Sequence, residues 1–598
     1  MRAAAFGSHI QSHGADRMGL RGTTRRVRKL VRYAWPYKGR SFSAIVALLG
    51  ATAAAIAGPV LVKLAIDDGI TPGDFGKVEF WVAVYLLVAV AGWAVGVAQN
   101  YLMSWVGERM LTDLRQDLFG HLQTLDLGYY ERVKAGVVIS RVTNDIEALN
   151  SLVTDGPATL VQNTITLVGS AAVLLYIDWR LALATLTVFP GMFVGTVVFR
   201  HFSARAYRRT RERLAEVTAS LQEDISGVRV IQAFRREHAN YRKFAAVNDE
   251  YRRANMTTVN ASAVYFPFVG LLSGTALAVV LAYGGVLVFE GTMTAGDLFV
   301  FIGLLANFFD PVQQLSQFYQ QFLAGMAALD KIFDVMDTEP GMTDSAGATE
   351  LPEITGDVHF EHVSFSYGGD VEVLHDVDFS VRAGQTVALV GHTGAGKSTL
   401  VKLLTRFYDP TAGRVTIDGH DLRDVSMRSV RSQLGIVPQE SFLFSGSVRD
   451  NIAFGRPAAS IEEVRAAAQA VGAAEFIEAL PEGYDTEIHE RGARLSIGQR
   501  QLVAFARALL ADPRLLILDE ATSSVDIPTE ARIEEALATL LRGRTAFVVA
   551  HRLSTIRNAD LIVVLEYGRV IEAGTHEQLI ARRGRYFSLY DDWVEAVA

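Results

Sequence analysis

Val387-Ala388-Leu389-Val390, then Gly391-His392-Thr393-Gly394-Ala395-Gly396-Lys397-Ser398, then Thr399-Leu400-Val401-Lys402-Leu403-Leu404, place an apolar run, a glycine-rich turn and a helical pattern in succession. A phosphate-binding loop needs that order. The glycines let the backbone N–H groups from Gly391 through Thr399 close around phosphate oxygens, and the opening helix adds partial positive charge from its N-terminus. Lys397 can reach the β- and γ-phosphates, and the Ser398 hydroxyl can ligate Mg²⁺. The stretch therefore predicts an α/β nucleotide-binding domain.

Outward from the loop, Leu515-Leu516-Ile517-Leu518 runs into Asp519 and Glu520. A buried strand ending in two carboxylates suits such a site. Asp519 would hold Mg²⁺ directly or through water, and Glu520 would polarise the attacking water. Ala546-Phe547-Val548-Val549 and Leu561-Ile562-Val563-Val564 are further short apolar runs. Separated by helical stretches, they suit parallel strands buried on both faces. An open α/β sheet places its ligand at the C-terminal ends of such strands. Val358-His359-Phe360-Glu361-His362-Val363 alternates as a half-buried strand does.

The texture changes upstream of residues 336–356, a polar, Gly- and Pro-containing stretch that reads as a linker. Residues 42–69, 79–105, 158–177, 180–199, 262–289 and 296–325 are long apolar runs. Each is near or above the roughly 20 residues that cross a bilayer. Ile177-Asp178-Trp179-Arg180 is a tight polar turn between two of them. Basic residues alternate from loop to loop. Arg21, Arg25, Arg26, Arg28, Lys29 and Arg32 precede the first span, Arg109, Arg115, Arg132, Lys134 and Arg141 follow the second, and Arg205 through Arg236 follow the fourth. By the positive-inside rule these loops and both termini are expected to be cytoplasmic, and the expected setting is a cell membrane, bacterial inner or plasma. Residues 1–20 lack an apolar core for a cleavable signal. Residues 24–41, with Tyr33, Trp35 and Tyr37 among cations, fit a helix on the inner membrane surface or a solvated basic tail. The two long cytoplasmic loops, charged at helical spacing, read as membrane helices continuing into the cytoplasm.

Half of the 598 residues are hydrophobic, and the net charge is −8, which gives no support to a nucleic-acid partner. There is no cysteine, so disulfides, thiolate metal sites and cysteine nucleophiles are excluded.

With Leu495-Ser496-Ile497-Gly498-Gln499 added, the chain resembles an ABC exporter half-transporter. The resemblance covers about residues 25–595. It implies a multidomain protein: an all-α polytopic membrane domain of six transmembrane helices extended into the cytoplasm, plus an α/β P-loop NTPase domain of ABC type. The boundaries follow as an N-terminal tail 1–24, a membrane domain 25–335, a linker 336–356 and an ATP-binding cassette 357–598. Tyr367 matches the aromatic that stacks on adenine. Gln439 matches the glutamine that contacts Mg²⁺ and senses the membrane domain. Ser496, Gly498 and Gln499 match signature residues that meet ATP held by an opposite cassette. Asp526 matches the D-loop aspartate, and His551 the histidine that holds the γ-phosphate. Glu520, His551 and Gln439 are the implied catalytic set, ATP and Mg²⁺ the implied cofactors. Tyr129-Tyr130-Glu131-Arg132 and Ser226 to Phe234 resemble the two coupling regions that dock in cassettes.

Two positions depart from the pattern: Ile497 stands where a glycine is usual, and so does His489. Ile497 would weaken the partner's ATP site, because each signature completes the opposite site. The chain's own Walker residues are complete. The resemblance then favours a heterodimer with a second half-transporter, against the symmetric homodimer that is the general default. The implied cargo is lipids, drugs or other amphiphiles moved outward, with siderophore-like import and an ATP-gated channel or regulator as alternatives. In the sixth span Asn307, Asp310, Gln314, Gln317 and Gln321, with Gln313 and Gln320 beside them, recur at helical spacing. Such a stripe lines a cavity or pairs structurally. Asp67 and Asp68 are expected to close the first span as a solvated helix end.

Overall fold

The computed structural model describes residues 20–369, 371–439, 441–489, 492, 494–519, 527–550 and 552–597. These fall into two compact units. One lies within Met1–Gln123 and Gly136–Thr338, the other within Thr124–Ala135 and Glu339–Ala598.

The first unit is helical. Lys38–Ala65 continues through a wide turn to Ile70, and Phe75–Thr124 is a single helix of 50 residues. Gly156–Ile177 ends at Asp178, whose carboxylate accepts the Leu181 N–H at 2.8 Å and starts Trp179–Leu186. This is the tight polar turn expected there, made by an aspartate that caps the next helix. Phe189–Ser226 and Glu237–Val279 run long and pack on each other, joined through the short helix Val228–Ala233. Ala295–Met336 completes the set. Among the described residues five helices are long and apolar enough to cross a membrane, and Ala295–Leu305 is a shorter apolar piece of the sixth. The expected continuation of spans into charged helix is present in Phe75–Thr124, Phe189–Ser226 and Glu237–Val279.

The N-terminal basic segment is not a free tail. Its helix Leu20–Ala34 pairs Arg26 with Asp330 and Lys29 with Asp337 on the last helix of this unit. Asp67 is likewise not a solvated end. Its carboxylate accepts the Thr294 hydroxyl at 2.7 Å and the Gly296 N–H at 3.0 Å, and Lys63 pairs with Asp297 at 2.5 Å. The aspartate therefore ties the C-terminal end of the first span to the N-terminus of the sixth, where unsatisfied N–H groups favour an anion. Asp68 is exposed.

The second unit is α/β. Among the described residues its main sheet runs Arg569–Gly574, Leu561–Glu566, Thr386–Val390, Thr545–Val549, Leu515–Asp519, Leu434–Val437. All pairings are parallel except the hairpin of the first two strands. Side chains alternate between two buried layers. Ala388, Val390, Leu516, Leu518 and Val548 face a helical layer that includes Ile497–Ala511. Val387, Leu389, Leu515, Ile517 and Phe547 face the helix Lys397–Leu404 and a second, antiparallel sheet that holds Val358–Phe365. The short apolar strands expected from sequence are thus buried on both faces. Leu351 and Ile354, inside the linker stretch, are buried in that second layer, so this part of 336–356 is packed chain.

Candidate functional site

Gly391 sits immediately after the strand Thr386–Val390 with φ +154°, and Gly396 caps the helix Lys397–Leu404 with φ +106°. A Cβ on Gly391 would collide with the Leu565 carbonyl oxygen, and one on Gly396 would lie 2.6 Å from Leu374 Cδ2. Only glycine gives both the dihedral and the close approach. Ala395 packs in the core beneath, while His392, Thr393, Gly394 and Ser398 are exposed and Thr399 is buried. The loop is therefore open to solvent on the side of Gly394, where a Cβ would meet nothing within 4 Å.

Lys397 is folded into this cradle. Its ammonium donates to the Gly391 carbonyl at 2.6 Å and the His392 carbonyl at 3.1 Å. Burial pushes its pKa down, and the Asp519 carboxylate opposes that shift. Asp519 thus lies within electrostatic reach of the loop, at the C-terminal end of its strand. Exposed amides, a buried cation, a serine hydroxyl and a nearby carboxylate fit a triphosphate with a hard divalent cation. His392 is held from outside by the C-terminal helix: Arg585 donates to its Nε2 at 2.8 Å, and pairs with Glu566 at 3.0 Å.

Tyr367 presents a partly exposed ring beside the loop. Its hydroxyl meets the Thr399 hydroxyl at 3.0 Å, and Phe365 and Tyr408 pack edge-on against it. Lys402, on the P-loop helix, lies 5.0 Å from the ring centroid. The same lysine donates to Glu131 at 2.7 Å, and the Tyr408 hydroxyl donates to that carboxylate at 2.8 Å. Glu131 belongs to the short helix Leu127–Arg132, which clusters with the cassette although it is distant in sequence. Burial works against ionisation of Glu131, yet the bonds from Lys402 and Tyr408 prevail and hold its carboxyl below the usual range. Sequence pattern flagged Glu131 only as part of a motif. Lys402 and Tyr408 carried no signal, since nothing local marks a partner 271 positions away.

Glu131→Gln is expected to loosen Leu127–Arg132. Losing one charge-assisted bond in a partly exposed pair costs about 1–2 kcal/mol. Amide hydrogen exchange across residues 127–132 should quicken by roughly tenfold, and an unchanged rate would show the clasp to be idle.

Ser496 caps the helix Ile497–Ala511 through a reciprocal box. Its hydroxyl accepts the Gln499 N–H at 3.2 Å, and its own N–H donates to the Gln499 side chain at 2.9 Å. Gly498 is buried, and Ile497 is 47% exposed at the first helical position. The departure thus adds bulk to an open surface and leaves the helix start intact. Gln439 is exposed just past the strand Leu434–Val437, and His489 is exposed. Glu520, Asp526 and His551 lie outside the described residues. In the first unit Asp310, Gln314, Gln317 and Gln321 are all exposed on one helix, with Asn163 donating to Gln314 at 3.1 Å. The side chains of Asn307, Gln313 and Gln320 are outside the described set.

A P-loop α/β domain fused to a bundle of apolar helices defines the class: a membrane protein that uses ATP. Family profiles match in the same places, the ABC transporter transmembrane region over residues 41–312 and the ABC transporter profile over 374–523. An ABC transporter ATP-binding protein of Bacillus subtilis (strain 168), YknV, uncharacterised, is 41% identical over 94% of this chain and 93% of its own length. The ATP-dependent lipid A-core flippase of Syntrophus aciditrophicus (strain SB) is 39% identical, covering 94% of each chain. A solved structure, a bacterial Atm1-family ABC exporter with ATP bound, superposes with TM-score 0.76 at 31% identity, over 94% of this chain and 98% of that one. The chain belongs to the ABC transporter family. It is an ATP-hydrolysing exporter of the multidrug and lipid-flippase type, with its multi-pass membrane domain and its cassette fused in one polypeptide.

Proposed function

We propose that this chain moves amphiphilic lipids or drugs out of the cytoplasm or inner leaflet by alternating access, paired with a second cassette. What carries the reading is the P-loop cradle with buried Lys397 in a chain whose relatives include a protein named as a lipid A-core flippase and one named as a putative multidrug exporter. The alternating basic loops support a cytoplasmic cassette and cytoplasmic termini. The exposed polar face of Asp310, Gln314, Gln317 and Gln321 supports a hydrated pathway within the helical unit.

In this reading the amides of Gly391 to Thr399, with Lys397, hold the triphosphate, and Tyr367 stacks on adenine. Ser398, Gln439 and Asp519 hold Mg²⁺, which when bound neutralises phosphate charge. Glu520 orients the attacking water, and His551 and Asp526 complete the site. Ser496 and Gly498 reach ATP held by the partner. ATP-dependent accumulation of a fluorescent lipid or dye in inside-out vesicles tests the reading. No accumulation, or movement the other way, would overturn it.

Ile497 supports an unequal pair. The chain purified alone is expected to turn over ATP slowly, and Ile497→Gly to raise that rate several-fold. A lone wild-type chain that forms a homodimer with full substrate-stimulated ATPase would sink the heterodimer reading.

A further inference from the structure

Trp105 lies at the end of the second apolar run, and two arginines converge on its ring. The Arg40 guanidinium lies 3.6 Å from the ring centroid and that of Arg109 lies 5.4 Å from it. Tyr37 packs edge-on against the same indole at 5.5 Å. Together with Pro36 and Gly39 these residues line an open cleft of about 530 Å³. Among the described residues neither arginine makes an ion pair. Asp113, one turn beyond Arg109, is engaged by the Tyr37 hydroxyl at 2.7 Å. Two cations therefore share one cleft without a carboxylate partner, although like charges side by side repel.

The surroundings say what would compensate them. Arg40 stands near the start of Lys38–Ala65, and Phe42, Val46 and Leu49 follow it as exposed apolar side chains. Val97 and Tyr101 are exposed on the other helix just before Trp105. Exposed Trp35, with Lys38 over its ring at 5.7 Å, adds an amphipathic girdle. Apolar surface on one side, aromatic–cation stacks at the boundary and bare guanidiniums below it are what a phospholipid meets from acyl chain to headgroup.

We propose that the Arg40–Trp105–Arg109 cleft binds the phosphate headgroup of an anionic phospholipid, with the acyl chains along the exposed faces of the first two spans. Guanidinium forks match phosphate oxygens in pairs, and stacking on Trp105 holds both forks in place. None of the residues lining the cleft belongs to the helix Ala295–Met336 that carries Asp310 and Gln314, so its lipid is a bound regulator or anchor and need not be the cargo. With the basic loops cytoplasmic, as proposed above, the cleft faces the cytoplasmic leaflet, but headgroup binding does not rest on that orientation.

The test is native mass spectrometry of the full chain in mild detergent, with phosphatidylglycerol or phosphatidylcholine added. Wild type is expected to retain phosphatidylglycerol in preference. Arg40→Gln with Arg109→Gln should lower that retention by at least about tenfold, two surface-proximal charges being lost. Replacing both by lysine should give an intermediate value, because charge survives and the stack does not. Should the double variant fail to fold, Trp105→Leu keeps both charges but removes the stack, and is expected to give an intermediate retention as the lysine pair does. Equal retention by folded variant and wild type would overturn the proposal. So would displacement of the lipid by inorganic phosphate, which would make the cleft a soluble-anion site. None of these readouts depends on transport direction, so a failed export assay and a failed lipid site are told apart.

Discussion

Lys397→Ala is expected to weaken ATP binding by about a hundredfold, the worth of one or two charge-assisted hydrogen bonds at roughly 1.5–3 kcal/mol each. The Lys397 side chain is already buried in the loop, its ammonium held by the carbonyls of Gly391 and His392. Its desolvation is thus met in folding and need not be met again on binding. A triphosphate then gains a cation that is in place and poorly hydrated, where electrostatic attraction is stronger than in water. Alanine removes that charge and also frees two loop carbonyls that lie against the phosphate path. Lys397→Arg should recover little, because the cradle closes on a slender ammonium and a planar fork does not replace it. Titration with a fluorescent ATP analogue measures the effect, and an unchanged Kd would refute it.

Glu520→Gln is expected to separate binding from turnover. A general base within reach of water contributes roughly 10²–10⁴-fold, and glutamine keeps the shape while losing the proton acceptor. The residue follows Asp519, whose strand Leu515–Asp519 lies two strands from the P-loop strand, with Thr545–Val549 between them, and its side chain is assigned from sequence. ATPase should fall by at least about a hundredfold on that scale while ATP affinity stays near wild type. With hydrolysis blocked, ATP-bound cassette pairs should accumulate and elute earlier on size exclusion. Unchanged hydrolysis would remove Glu520 from the role of base.

What sequence could tell divides by range. The P-loop, the doubly buried strands and the polar turn at Asp178 depend on neighbours a few positions away, and each was legible. Ser496 was assigned by motif to ATP, yet its capping of Ile497–Ala511 follows from the Ser-x-x-Gln spacing alone. Asp67 was misread as solvated, because its partners Thr294 and Gly296 lie 227 and 229 positions on. The Glu131–Lys402–Tyr408 clasp and the approach of Arg40 to Trp105 were illegible for the same reason. Periodicity says which face of a helix is apolar, but not which distant cation a carboxylate meets.

The 50-residue helix Phe75–Thr124 has a mechanical consequence. At about 1.5 Å per residue it is a rod roughly 75 Å long, of which a bilayer core takes about 30 Å. The remaining length is a lever arm. A push of about 5 Å at its free end tilts the whole rod by roughly 4°, with no hydrogen bond of the helix broken. Motion of that size needs no unfolding and no hinge within the membrane. The span can therefore work as a stiff crank, its stroke fixed by how many residues stand outside the lipid.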